Sequence, residues 1–447
     1  MRPGSPQLTV RRDAFSELGS NSNRTIRAAF VGTYPPRQCG IATFTQDLAA
    51  AVGDPGTRRT VGSPWDRSAS DPGVAIEIAA VDYEARDFPP EVHLRLDPDR
   101  PADYLGVADR INRSRFDVVS LQHEFGIYGG PDGERVLRLL DQLEIPIVST
   151  LHTVLLHPSD NQRRVLREIG RASSRVIVLA QASARILVEA YGIDPERIRV
   201  IPHGVPDLPF VDPETVKPLV GLSGRPTLLS FGLLGPAKGF DLAIRAMANV
   251  VEETPAACYV ILGATHPELR RREGEAYRES LQTLVRELHL ERHVRFVDAY
   301  VDLPTLGRWL QAADVFVTPY PGAEQAASGT LAYALGTGKA LVSTPYAYAR
   351  ELLADGRGRL VPFGDSGELG RAIATFLTDR SLRDEARRRA YAFGRTMTWR
   401  RVGAAYRALF AEVRAETVVR SGGPEPGSRS VAGTALHDAL HEAPSLG

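Results

Sequence analysis

TPYPGAEQAASGTLAYALGTGKALVSTPY, residues 318–346, is the stretch on which the fold turns. It passes from a strand end through Glu324 and a Ser328-Gly329-Thr330 turn into an apolar helix, then through Gly338 into a second apolar strand. A turn that feeds a helix directly after a strand is an anion site by construction. The first helical amides have no internal acceptor, and the helix dipole favours negative charge there. Ala326, Ala327, Ser328 and Gly329 are small enough to let a phosphate approach the backbone.

The same alternation extends outward in both directions. Ile26–Val31 (IRAAFV) is apolar on both faces, as in a central strand of a parallel sheet, and runs through Gly32, Pro35, Pro36 and Gly40 into a helix with Ile41, Phe44, Leu48 and Val52 on one side. Further strands are predicted at 75–80, 117–121, 145–151, 175–180 and 198–201, with helices at 101–113, 132–142, 160–171 and 182–191. A second series begins at 227–232 and continues with strands at 257–263, 293–297, 314–318, 340–343 and 359–361. Its helices are predicted near 240–253, 269–289, 303–312, 329–337, 347–354, 366–379 and 381–394. Alternating strands and helices with short links give a doubly wound α/β domain, and two such series give two Rossmann-like domains facing each other across a cleft. The expected organisation is a disordered tail 1–23, a first domain 24–205, a proline-rich linker 206–226, a second domain 227–396 and a disordered tail 417–447. Residues 53–74, rich in Gly, Pro, Ser and Arg, read as a surface insertion. The segment after Phe393 is amphipathic, with Trp399, Val402, Tyr406, Leu409 and Phe410 on its apolar side.

Composition narrows the function classes. At 447 residues, 43% hydrophobic and 24% charged, the chain is long enough for two ordinary soluble domains. Acidic and basic residues balance at 54 each, so charge does not point to nucleic acid or an anionic membrane. Cys39 and Cys258 are the only cysteines, too few for a disulfide framework, which favours a reducing cytoplasm. The amino terminus lacks the apolar core of a signal peptide, and no apolar run reaches a membrane span; peripheral membrane association stays open.

Five stretches now carry a family resemblance: TYPPRQCGIATFTQDLA, IPHGV (201–205), FGLLGPAKGFDLAIRA (231–246), the opening stretch, and TWRRVGAAYRALF. They resemble the nucleotide-sugar glycosyltransferases of the GT-B architecture, in particular family 4 (group 1), over roughly Arg24 to Glu416. The resemblance implies a final helix, 397–416, that crosses back onto the first domain, which would carry the acceptor side. It implies a hexosyl-type transfer from a nucleoside-diphosphate sugar, with retention of configuration, to a saccharide, lipid or small molecule. No metal and no further cofactor are expected. The departures are specific. Tyr333 stands where the family has the second Glu of its donor motif, the one that holds the ribose. Gln325, beside Glu324, stands at the first Glu. Leu233 replaces the arginine of the phosphate loop, and Cys39 the first glycine of the Gly-Gly loop.

Glycosyl transfer creates a cationic sugar ring and a departing diphosphate, so the site needs groups that neutralise phosphate as its charge grows. Lys238 suits that task as a point charge, against the alternative of a solvated loop lysine. Gly232, Ser328, Gly329 and Thr330 are expected to bind the donor, although Ser328 also reads as an ordinary helix cap. Gly40 and Ile41 would offer amides. Glu324 is the acidic group expected near the transferred sugar, with Gln325 competing for the place. His123, in LQHEFGIYGG at a strand's carboxyl end, matches a family histidine near the reacting carbon, giving a catalytic set of His123, Glu324 and Lys238. Glu124 and His152 are possible sugar or acceptor contacts, and His203 in IPHGV reads as a hinge residue. His157 and His266 have no partners at metal-ligand spacing. A glycoside phosphorylase, a nucleotide-sugar epimerase and a non-catalytic nucleotide-sugar-binding protein remain as alternatives on the same architecture. A dehydrogenase is disfavoured because neither half has the dinucleotide glycine fingerprint.

Overall fold

The computed structural model describes residues 25–53, 73–84 and 86–421. The tail 1–23, most of the insertion 53–74 and the tail beyond Ser421 lie outside the described residues. A first parallel sheet contains β1 (Ile26–Gly32), β2 (Val74–Val81), β3 (Val92–Leu96), β4 (Val118–His123), β5 (Ile147–Leu151), β6 (Arg175–Val178) and β7 (Ile198–Val200), in the order β3-β2-β1-β4-β5-β6-β7. A second contains β8 (Thr227–Phe231), β9 (Cys258–Leu262), β10 (Val294–Val297), β11 (Val315–Thr318), β12 (Ala340–Ser343) and β13 (Arg359–Leu360), in the order β10-β9-β8-β11-β12-β13. Helices cover both faces of each sheet, which is why the central strands are continuous buried runs such as VVSLQH and CYVIL.

Three elements differ from the sequence pattern. β3 (VHLRL) alternates buried and exposed positions at a sheet edge, so it lacks the continuous apolar run of its neighbours. The helix expected over 269–289 is two helices, Pro267–Glu273 and Ala276–Glu287, broken at Gly274 with φ 64° and ψ −136°. The helix expected at 132–142 shrinks to a 3-10 turn, Pro131–Gly133, and the short helix Val136–Leu140. The segment 206–226 carries a short helix, Pro213–Val216, and a 3-10 turn, Lys217–Val220. Its buried Lys217 pairs with Asp314 at 2.8 Å and so anchors the segment to the second half.

The last helix runs Trp399–Ser421, beyond the expected boundary at 416. Val402, Tyr406, Leu409, Phe410 and Val413 join Phe44, Leu48 and Val52 in one core on the first sheet. Tyr406 Oη and Thr150 Oγ1 are 2.9 Å apart, Arg407 donates to the Ala51 carbonyl at 2.8 Å, and Arg175 binds Glu412 and Glu416. The return crossing is itself hydrogen-bonded, Val205 N to Met397 O at 2.9 Å and Trp399 N to Val205 O at 3.1 Å. Further bonds span the cleft. Tyr333 Oη donates to Asp47 Oδ2 at 2.7 Å, Thr43 Oγ1 lies 2.9 Å from Tyr300 Oη, and the Gln181 and Ala182 amides donate to Glu351.

Candidate active site

In a parallel sheet whose strand order reverses, the loops on either side of the reversal splay apart and leave a crevice at the carboxyl ends. Here the reversals fall between β1 and β4 and between β8 and β11. At the carboxyl ends of these four strands and in the segments that follow lie Gly40 and Ile41, His123 and Glu124, Gly232 and Lys238, and Glu324 to Thr330. His152 follows β5.

On the second half the expected donor residues converge. Ser328 caps the helix Gly329–Gly336, accepting from Leu331 N at 3.2 Å. Ser328 Oγ and Thr330 Oγ1 lie 3.1 Å apart, and both bond the hydroxyl of Tyr320, at 3.2 and 3.0 Å. Lys238 Nζ sits 4.6 Å from the Tyr320 ring centre. Gly232 adjoins this group, since a β-carbon there would lie 3.4 Å from Thr330 Cγ2. The loop reaches this place because Gly239 has φ +67° and passes so close to the Pro319 carbonyl that a β-carbon would sit 2.0 Å from its oxygen. Burial opposes ionisation of the Tyr320 phenol, but Lys238 and the hydroxyls of Ser328 and Thr330 outweigh it and hold its pKa below the ordinary value.

Glu324 is not part of that cluster. It is exposed and forms no hydrogen bond or ion pair with the other described residues. Gln325 turns its amide onto the Ala327 carbonyl at 2.7 Å and so braces its own loop.

On the first half two buried histidines, His123 and His152, lie at the carboxyl ends of β4 and β5. His123 is completely buried, lies parallel to the Tyr128 ring, and has no hydrogen-bond partner for either ring nitrogen. Burial pulls its pKa down to about 3. His152 bonds Gln122 Oε1 at 3.1 Å and meets Phe44 edge-on; burial, then the neighbouring His203 and His123, lower its pKa to about 3. Both are therefore neutral near pH 7, each with one donor and one acceptor nitrogen. Burial raises the pKa of Glu124, offset by hydrogen bonds from Thr153 and the Phe125 amide. Gly40 opens the helix Gly40–Gly53, and Ile41 packs on the core; Cys39 Sγ accepts from the Ala42 amide at 3.3 Å.

Tyr320 and Asp47 escaped the sequence reading, and the contacts of His203 and Tyr333 were not legible in it. His203 does more than mark the crossover. Its ring touches Gly329, where a β-carbon would fall 2.8 Å from Nε2, and packs against Phe44, Tyr333 and Trp399. Tyr333 is buried and points at Asp47 on the opposite half. Burial raises the Asp47 pKa, with the Tyr333 hydrogen bond acting against it. The nearest sequence signal was the departure at 333 itself. The polar recess at Arg171, Arg175, Arg197 and Glu416 lies at the opposite, amino ends of β6 and β7, where the last helix docks.

A family model for Glycosyltransferase Family 4 matches residues 39–207, and one for Glycosyl transferases group 1 matches 214–393. A phosphatidyl-myo-inositol mannosyltransferase of Mycolicibacterium smegmatis is 30% identical over 293 residues, covering 63% of this chain and 68% of its own. This chain belongs to the group 1, family 4 glycosyltransferases. Within the family, D-inositol 3-phosphate glycosyltransferases of Thermomonospora curvata and Kineococcus radiotolerans are each 30% identical over 287 residues, 57% of this chain. The chain spans just under two thirds of their lengths, 63% and 64%. Among solved structures, Anabaena HepE in complex with UDP and glucose superposes with a TM-score of 0.64 at 18% identity, covering 88% of this chain and all of that one. Sucrose-phosphate synthase of Thermosynechococcus elongatus gives 0.67 at 16% identity with the same coverage. These likenesses show the GT-B fold of the family, two Rossmann-like halves about a cleft.

Proposed function

We propose that the chain transfers a hexosyl-type sugar from a nucleoside-diphosphate sugar to an acceptor hydroxyl, with retention of configuration. The observation that carries this reading is the pairing across the cleft. Lys238, three hydroxyls and a helix amino terminus stand on one side, and the buried, neutral, unpartnered His123 stands on the other. In the reaction the bond from the sugar's anomeric carbon to the diphosphate oxygen breaks, the bond to the acceptor oxygen forms, and the acceptor's proton passes to the departing diphosphate oxygen. Lys238 and the Gly329 and Thr330 amides would meet the departing diphosphate. A sugar hydroxyl would give the His123 nitrogens the partners that a buried imidazole costs free energy to lack. Gly40 and Ile41 amides would face the donor or acceptor, and Glu124 and His152 would shape the sugar pocket. No metal or further cofactor enters this scheme.

Support for the donor class comes from the HepE complex with UDP and glucose. The names of the relatives make inositol phosphate and phosphatidylinositol the first acceptors to assay. No helix among the described residues is long and apolar enough to cross a membrane. We place the protein in the cytoplasm, where an acceptor lipid would be met at a membrane surface.

The test is a thermal-shift screen of UDP, GDP, ADP and their sugars, followed by turnover of whichever sugar binds. A ligand of the folded state raises the melting temperature by mass action. Failure of every nucleoside diphosphate and its sugar to bind would overturn the proposal, and phosphate-dependent breakdown of a glycoside would replace it with a phosphorylase.

Glu324 keeps the sugar-side role on motif spacing alone, its exposed carboxylate having no partner among the described residues. Glu324→Gln is expected to lower turnover more than Gln325→Ala, whose side chain only braces the loop. The opposite order of kcat values would move the role to Gln325.

A further inference from the structure

Lys238 poses a physical problem. A lysine ammonium is a mobile point charge on a four-carbon stem, and holding it in place usually takes a carboxylate. A carboxylate would also cancel the charge that an incoming phosphate needs. Among the described residues no acid forms an ion pair with Lys238, and Leu233 leaves the loop without a second cation at that position.

Tyr320 offers the other solution. Its ring centre lies 4.6 Å from Nζ and its hydroxyl 3.5 Å away, so the ring face and the hydroxyl hold the ammonium together. Aromatic quadrupoles attract a cation without neutralising it. The ring is fixed in turn, stacked on Tyr346 at 5.1 Å and 18°, while Thr344 Oγ1 donates to its backbone carbonyl at 2.6 Å. The Tyr320 hydroxyl closes a triangle with Ser328 and Thr330, so the lysine and the helix amino terminus are registered through one side chain. Tyr320 is 4% exposed, and packing alone would be served as well by phenylalanine.

We propose that Tyr320 is a positioning residue of the diphosphate site, holding the Lys238 ammonium at the amino end of the helix Gly329–Gly336 and orienting the Ser328 and Thr330 hydroxyls. This rests on the glycosyl-transfer reading for its biological meaning, but its test does not need turnover. The probe is inorganic pyrophosphate, titrated calorimetrically into the full chain.

Wild type is expected to bind. Lys238→Met should weaken binding by roughly thirtyfold and Tyr320→Phe by about tenfold, as for a lost hydrogen bond in a charged network. Because Tyr320 acts through Lys238, the double variant should bind within about twofold of Lys238→Met alone, whereas a merely structural tyrosine would give additive losses. Wild-type affinity in Tyr320→Phe, additive losses, or no pyrophosphate binding by wild type would each overturn the assignment. If Tyr320→Phe fails to fold, Thr330→Val cuts the same hydroxyl link. It should then give the tenfold loss, and unchanged affinity would overturn the proposal. Coupled losses together with no turnover of any nucleotide sugar would sustain the role of Tyr320 while removing the glycosyl-transfer reading.

Discussion

A Lys238→Ala variant is expected to turn over roughly 30- to 1,000-fold more slowly than wild type, a barrier increase of ~2–4 kcal/mol typical of losing one preorganised group at a developing negative charge. The loop that carries Lys238 has Leu233 where the family resemblance implies an arginine, so in the proposed role the lysine would have fewer cationic partners. Its Nζ lies 4.6 Å from the centre of the Tyr320 ring, an aromatic partner that brings no opposing charge. The effect should therefore appear in kcat as the leaving diphosphate gains charge, with a smaller change in KM. Steady-state kinetics with the donor found in the binding screen measure both. Wild-type turnover would remove Lys238 from the mechanism.

Ending the chain at Thr396 is expected to abolish the stable first half. The lost helix carries Val402, Tyr406, Leu409, Phe410 and Val413, each at most 4% exposed, into the core shared with Phe44 and Leu48. At ~1.5–3 kcal/mol per buried side chain their removal amounts to about 10 kcal/mol, comparable with the whole stability of a domain. The Tyr406–Thr150 bond, the glutamates on Arg175 and the crossing at Val205 go with it. A chain ending at Ser421, by contrast, keeps every described contact. Solubility, melting temperature and binding of an apolar dye compare the two. A soluble, active 1–396 protein would contradict the role of the crossing helix.

The fold was legible wherever local pattern and tertiary environment agree. β1, β4, β8 and β11 are buried almost throughout because helices cover both faces, and their apolar-rich runs declare themselves in sequence. β3 hid because an edge strand alternates, and its VHLRL looks like a polar loop. The break at Gly274 hid because the charged face of 269–289 keeps helical spacing across it. The candidate site divides the same way. Lys238, Ser328, Gly329 and Thr330 sit in contiguous loop-to-helix signatures, where residue type and position together announce an anion site. Tyr320 was invisible because an aromatic at a strand end reads as packing, and its meaning lies in Lys238, which is remote in sequence. His203 read as a hinge because its contact, Gly329, belongs to the other half. Glu324 was located by spacing against a motif, and spacing says nothing about which way a loop presents its carboxylate.

The bond between Tyr333 and Asp47 bears on how the two halves can change over time. By its sequence position alone, Tyr333 stands where the family resemblance leads one to expect a carboxylate. With its partner it is one side of a phenol–carboxyl pair that joins the two halves at 2.7 Å. Each position now limits what the other can become. Restoring Glu at 333 would face Asp47 with a second anion in a poorly solvated seam, and losing the phenol alone would strand a partly buried carboxyl. The halves are thus matched parts. A second half carrying glutamate at 333 would arrive without the counterpart that Asp47 on this first half meets.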